Sequence, residues 1–204
     1  MRAVVFDFGG VLWDMRWDVA RELDQAHGLP RSSLFETLYR SEAWHAVERG
    51  TGDRDGWRQE AHRALEARAG RSLPPLHDEW HKAQVPITAN LDIVRALRPG
   101  YKISILSNAD VSLRRRLEHE IGIHHLFDDI VCSAEVGIAK PERAVFALAC
   151  RRLGLPPAEC VFVDDYEVNV KAAQDAGMAA VLFRVDKGDD LRALLGARGV
   201  IPRS

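Results

Sequence analysis

Ala3-Val4-Val5-Phe6-Asp7-Phe8-Gly9-Gly10 is the stretch on which the fold turns. Residues 3–8 are β-branched, aromatic or small apart from one acid, and two glycines stop them. A run without apolar–polar alternation suits a strand buried on both faces, as in a parallel sheet covered by helices on either side. Runs of the same character recur at residues 102–106, 129–132, 160–163 and 179–183, with helical patterns between them. That alternation predicts an α/β fold, a doubly wound, Rossmann-like parallel sheet. One helix is expected to begin at Pro141, as a first-turn proline, and to end at Gly154; another spans residues 168–176 and is closed by Gly177.

Between residues 14 and 85 the strand-like runs vanish, and the chain becomes rich in Arg, Glu, His, Trp and Ala. About 90 residues therefore separate the first strand from the second, far beyond an ordinary βα connection. We expect a small all-helical cap at 14–85, inserted into a core made of 1–13 and 86–204, with opening and closing about the segments near Asp14 and Pro86. The chain has 204 residues and a net charge of −2, too near balance for bulk attraction to a nucleic-acid backbone. No apolar run approaches the roughly 20 residues needed to cross a bilayer. Cys132, Cys150 and Cys160 have no metal-ligand spacing and read as reduced thiols of a cytoplasmic protein. Balanced charge permits a monomer and leaves a dimer open.

In an open parallel sheet the ligand crevice lies beyond the carboxyl ends of the strands. The residues collected there are Asp7, Ser107-Asn108, Lys140-Pro141 and Asp164-Asp165. Taken singly each is bland: a satisfied buried Asp, a turn, a helix start. Two adjacent acids ending a buried strand are less ordinary, because unpaired buried charge costs several kcal/mol. Three carboxylates and one ammonium brought together call for a further cation, and hard oxygen donors without His or Cys favour Mg2+.

With these residues in place the chain resembles the haloacid dehalogenase-like hydrolases, in the subgroup with a helical cap after the first strand. VVFDFGGVLWD, ILSNAD, GIAKPE and VFVDDYEVNVKAAQDAGM are similar to the four motifs of that family, in order. DFGGV, ERG (residues 48–50) and VDDYEVN look most like bacterial sugar-phosphate phosphatases of the glucose-1-phosphate phosphatase type. The resemblance implies hydrolysis of a small phosphorylated metabolite through an aspartyl-phosphate formed on Asp7. It implies Mg2+ held by Asp7, the carbonyl of Gly9 and Asp165, with Asp164 as ligand or neighbour. It further implies a phosphate cradle of Ser107 with the backbone N–H groups of Phe8, Gly9 and Asn108, orientation of Asp7 by Lys140, and support from Asn169.

The chain departs from the family at Gly9, where most of its phosphatases carry a second aspartate as general acid and base. Losing such a group typically forfeits about 10²- to 10⁴-fold in rate. Cap residues Trp44, His45, Glu48 and Arg49 are the candidates to fill the gap and set specificity, with Asp14 a further acid; the other reading makes them core and surface groups. Two rival functions follow. A metal-independent dehalogenase would, by the same resemblance, have neutral residues in place of the acidic pair and an aromatic at position 9. A weakly active or non-catalytic phosphometabolite binder finds its support in Gly9, which also speaks against a phosphomutase.

Overall fold

In the computed structural model, which describes residues 1–201, the central sheet has five parallel strands: β1 (Ala3–Phe6), β4 (Lys102–Ser107), β5 (Asp129–Cys132), β6 (Cys160–Asp164) and β7 (Ala179–Leu182). Their order is β5-β4-β1-β6-β7, so β1 is central, paired to β4 from Ala3↔Lys102 to Phe6↔Ile105 and to β6 from Ala3↔Cys160 to Phe6↔Val163. β1 ends at Phe6, two residues short of the apolar run, because Asp7 and Phe8 already belong to the turn that carries the site. That turn is tied by hydrogen bonds from the N–H groups of Leu12 and Trp13 to the carbonyl of Phe8.

Alternation of side chains along these strands feeds two cores. Val4, Phe6, Ile103, Ile105, Val161 and Val163 face one layer, under α6 (Thr88–Leu97), α7 (Leu113–Arg115) and α11 (Leu191–Gly196). Ala3, Val5, Cys160 and Phe162 face the other, under α9 (Arg143–Leu153) and α10 (Glu167–Asp175). The sheet is therefore covered on both sides, as the unbroken apolar runs require. Gly154 closes α9 with φ 66°, and Gly177 follows α10 with φ 90°, conformations that glycine adopts without a Cβ penalty. A short helix, α8 (Ser133–Val136), follows β5.

Five helices stand between β1 and β4 ahead of α6: α1 (Trp17–Ala26), α2 (Ser33–Tyr39), α3 (Glu42–Val47), α4 (Arg54–Ala69) and α5 (Leu76–Ala83). They enclose a third apolar cluster of their own, in which Trp44, Trp57 and Trp80 are 7%, 7% and 1% exposed, so these rings are core before they are anything else. Two of the indoles are satisfied locally: Trp57 Nε1 donates to the carbonyl of Leu38 at 2.8 Å and Trp80 Nε1 to that of Met15. The chain enters and leaves this helical layer through a ribbon of two short antiparallel strands, β2 (Trp13–Asp14) and β3 (Val85–Pro86), too short to be visible in the sequence pattern. No helix among the described residues is long and apolar enough to cross a membrane.

Candidate active site

Three strand ends meet at one edge of the sheet: Asp7 follows β1, Ser107 closes β4, and Asp164 closes β6. Lys140 joins them from the loop before α9. Its Nζ donates to Asp7 Oδ2 at 2.9 Å and to Asp164 Oδ2 at 2.7 Å, with the lysine side chain 2% exposed and that of Asp164 fully buried. Charges this deep persist only when paired and hydrogen-bonded, and Asp164 is the most fully held. Its two carboxylate oxygens each accept from Asn169 Nδ2 at 3.1 Å, and Oδ1 also takes the N–H of Tyr166 at 2.8 Å. Asn169 thus positions Asp164, with no side-chain bond to Lys140.

Asn108 fixes the lysine from the other side. Its Oδ1 accepts the N–H of Lys140 at 2.8 Å, and its Nδ2 donates to the Lys140 carbonyl at 2.9 Å. This two-point grip holds residue 140 in the turn ahead of α9, where its peptide bond to Pro141 is cis. α9 begins at Arg143 and the proline stands ahead of the helix, contrary to the expectation of a first-turn proline.

The electrostatics follow from burial. Desolvation alone would lower the pKa of Lys140, but Asp164 and Asp7 outweigh it and the ammonium is favoured. Burial raises Asp7 to about 6, with Asp164 adding to the rise and Lys140 and the Phe8 N–H opposing it. Asp165 is pushed up to about 7, first by burial and then by Asp7 and Asp164. The N–H of Phe8 donates to Asp7 Oδ1 at 2.7 Å, so here it steadies the carboxylate and does not face an open cradle.

One oxygen from each of Asp7, Asp164 and Asp165 lies within 4.8 Å of the others. Three carboxylates beside a single ammonium leave a charge of −2 when all are ionised, and Asp165 makes no ion pair among the described residues. An all-oxygen set with that excess fits a divalent cation of the magnesium type. Gly10 makes the arrangement possible: it sits at φ 78°, and a Cβ there would stand 2.0 Å from Asp165 Oδ2. The sequence offered Gly10 only as the second half of a glycine turn, and its role was missed. At Gly9 the neighbour is apolar, since a Cβ would lie 3.2 Å from Met15 Sδ. A thioether therefore borders the space that a side chain at position 9 would enter.

A cavity of about 200 Å³ opens beside this cluster, bounded on the sheet side by Phe8, Gly9, Ser107 and Asn108. Its opposite wall comes from the helical layer, with the rings of Tyr39, Trp44, Trp57 and Trp80 packed on one another at centroid distances of 4.8 to 6.4 Å. Burial lifts the Tyr39 phenol to about 12. Arg54, Arg58, Arg115 and Arg116 also line it; the sequence named none of them, because an arginine on a helix looks alike whether it faces a cavity or water.

The expected cap residues divide. Trp44 reaches the cavity. Glu48, 5% exposed, accepts from Asn108 Nδ2 at 3.0 Å, and Arg49 pairs with Glu142 on the core. Gly50, at φ 72°, lies so close to the core that a Cβ would be 2.1 Å from the carbonyl oxygen of Ala134. Residues 48–50 therefore dock the helical layer onto the sheet layer. His45 is not in the cavity: its side chain is 58% exposed and bonded to Glu48 at 3.0 Å, because it lies on the outer face of α3. Asp14 is likewise outside the cavity lining, its carboxylate accepting the N–H of Arg16 at 2.8 Å.

Compared with known proteins, residues 1–177 match the sequence profile of the haloacid dehalogenase-like hydrolases. A glyceraldehyde 3-phosphate phosphatase of Methanopyrus kandleri is 42% identical over 93 residues, which is 45% of this chain and 40% of that protein. The chain thus spans about two-fifths of the length of this relative. Among solved structures, a haloacid dehalogenase family enzyme of Bacteroides thetaiotaomicron, in complex with magnesium and inorganic phosphate, superposes with a TM-score of 0.71. It is 22% identical and the alignment covers 95% of this chain and 98% of that one, a likeness of fold. An L-2-haloacid dehalogenase superposes with a TM-score of 0.64 at 27% identity, over 90% of this chain and 85% of the other.

Proposed function

This chain belongs to the haloacid dehalogenase-like hydrolase family, and from that premise we propose that it is a magnesium-dependent phosphatase of a small phosphorylated metabolite. The observation that carries the proposal is the cluster of Asp7, Asp164 and Asp165 around one buried lysine, an excess of negative charge that a divalent ion balances. A carboxylate oxygen of Asp7 attacks phosphorus as the ester P–O bond breaks, the alcohol leaving as an alkoxide that takes its proton from water. Water then attacks the aspartyl-phosphate, breaking the new P–O bond to release inorganic phosphate and restore the Asp7 carboxylate. With its pKa near 6, it is ionised and nucleophilic at neutral pH. Lys140 fixes its orientation through the 2.9 Å bond and spreads positive charge toward the transferring oxygens. Ser107 and the N–H of Asn108 stand at the sheet wall of the cavity to receive those oxygens. Magnesium would be held by Asp7, Asp165 and the carbonyl of Gly9, and it supplies charge neutralisation and in-line placement of the phosphoryl group. Asp164, already saturated by Lys140, Asn169 and Tyr166, orients rather than ligates. Residues 14–85 act as the cap that closes the cavity, and the setting is the cytoplasm, with the three free cysteines in keeping.

The likeness to a glyceraldehyde 3-phosphate phosphatase supports a phosphorylated sugar or a similarly small ester. The cluster of acids weighs against a metal-free dehalogenase, for which it has no use. Gly9, bordered by Met15, favours a good leaving group over a simple alkyl one, since no acid stands there to protonate it. The test is magnesium-dependent release of phosphate from para-nitrophenyl phosphate and glucose 1-phosphate, with Asp7→Asn as control. A fall of roughly 10³-fold or more in the variant is expected; equal background in both proteins would leave only the binder.

A further inference from the structure

We propose that the ligand of this cavity carries a second anionic group, and that Arg116 recognises it. The inference deepens the reading of the site as a phosphate-ester pocket and rests on it for the position of the first anion. Four arginines line the cavity, against the carboxylates of Asp110 and Glu120. Three of the arginines are engaged: Arg54 faces Asp110 at 3.2 Å, Arg115 pairs with Glu120 at 2.8 Å, and Arg58 pairs with Asp78 on α5. Arg116 is half-buried, and its guanidinium has neither an acidic partner nor a hydrogen bond among the described residues. A partly buried guanidinium lining a cavity, with none of its donors taken by a neighbouring side chain, suits a planar or tetrahedral oxyanion.

An unusual turn begins at this residue. Directly after α7 the chain widens into a single π-type turn, Arg116–Glu120, closed by the N–H of Ile121 on the carbonyl of Arg116 at 2.8 Å. Such turns are rare and are found frequently at functional sites; Arg116 enters this one in ordinary helical register, its N–H bonded to the carbonyl of Ser112 at 2.9 Å. Arg116 belongs to the sheet layer, through the chain leaving β4, while Arg54 and Arg58 belong to α4 on the other side, so both layers contribute arginines to the cavity lining.

Size sharpens the class. A space of about 200 Å³ is smaller than the usual 300–1,000 Å³ ligand site. It fits a short molecule whose one end is a phosphoryl group near Asp7 and whose other end is a carboxylate or a second phosphate, and it has no room for a nucleoside. The aromatic rings of the lining take a few carbons by apolar contact and carry no charge of their own.

The experiment is calorimetric titration of the magnesium-loaded Asp7→Asn protein, which binds without turning over, with three probes. These are 2-phosphoglycolate, with a carboxylate; glycerol 1,3-bisphosphate, with a second phosphate; and glycerol 1-phosphate, with a neutral tail. We expect at least one doubly anionic probe to bind tenfold or more tightly than glycerol 1-phosphate, and which one identifies the second anion. Adding Arg116→Ala removes that ratio, and Arg116→Lys restores part of it; melting curves check that each variant is folded. Equal affinity for all three probes, or a preference that survives Arg116→Ala, overturns the inference. Because the titration needs no catalysis, its outcome is separate from the hydrolysis assay above: hydrolysis without a second-anion preference sinks this inference alone.

Discussion

At the strand ends, Lys140 and Asp164 are buried and each is held by at least two partners; across the cavity, Tyr39, Trp44, Trp57 and Trp80 hold one another by ring packing, and on the cavity's sheet side the Arg116 guanidinium is held by nothing among the described residues. The contrast has a physical cause. Charge withdrawn from water must be matched at the time of folding, so the strand-end groups are fixed in place before any ligand arrives. Apolar rings tolerate small shifts at little cost, and a partly solvated arginine can wait for its counter-ion. Substitutions at the strand ends should therefore act on chemistry and stability together, and substitutions on the opposite wall on which molecule is accepted.

The strongest challenge to that contrast is Lys140→Met. It leaves Asp7 and Asp164 buried without their shared cation, and should cost about 3–5 kcal/mol in chemical denaturation as well as abolishing turnover. A variant of near-native stability would mean that the strand-end charges are not matched during folding at all.

Next in size is removal of magnesium. Asp7 and Asp165 have folded pKa values of about 6 and 7 against 3.8 when unfolded. The ion-free protein therefore binds more protons than its unfolded chain between roughly pH 4 and 7, and loses stability as pH rises through that window. A bound divalent ion keeps both groups ionised and cancels the loss. The melting temperature with magnesium minus that with chelator should widen from pH 5 to pH 7.5. With the ion at about 100 times its Kd the gap corresponds to roughly 2.7 kcal/mol, or about 5–10 °C. A gap that narrows with rising pH would place the ion elsewhere.

Gly10→Ala sharpens the picture further, because the new methyl group meets the Asp165 carboxylate and φ 78° disfavours any side chain. Magnesium affinity by titration should fall about 10- to 100-fold, the range typical of disturbed groups supporting a metal site. The smallest effect is expected from Arg49→Ala, which removes a pair whose side chains are 40% and 47% exposed. Stability should change by less than about 1 kcal/mol. A larger loss would show that the docking of the helical layer is as tightly specified as the strand ends.

What the sequence revealed follows the same division. The strands were legible because burial on both faces leaves unbroken apolar runs, and Asp7, Lys140, Asp164 and Asp165 stood out as charges placed where such runs stop. Gly10 was hidden, since a glycine that admits a carboxylate looks the same in sequence as one that turns a chain. His45 was misplaced because three neighbours on a short helix point in different directions, and only Glu48 turned toward Asn108. Arg116 was illegible because nothing local in sequence tells an arginine that lines a cavity from one that faces water. The central position of β1 could not be read from any local pattern, because strand order is set by how the layers pack.

The ribbon of β2 and β3 carries a wider implication. Trp13 pairs with Pro86 and Asp14 with Val85, so the chain's exit from the sheet and its return are neighbouring rungs. Everything from residue 15 to residue 84 hangs from that doorway like a cassette, and its length hardly matters to the strands that pair beneath it. Lineages, and protein engineers, could exchange one such cassette for another and obtain a new clientele while inheriting the same reactive machinery intact.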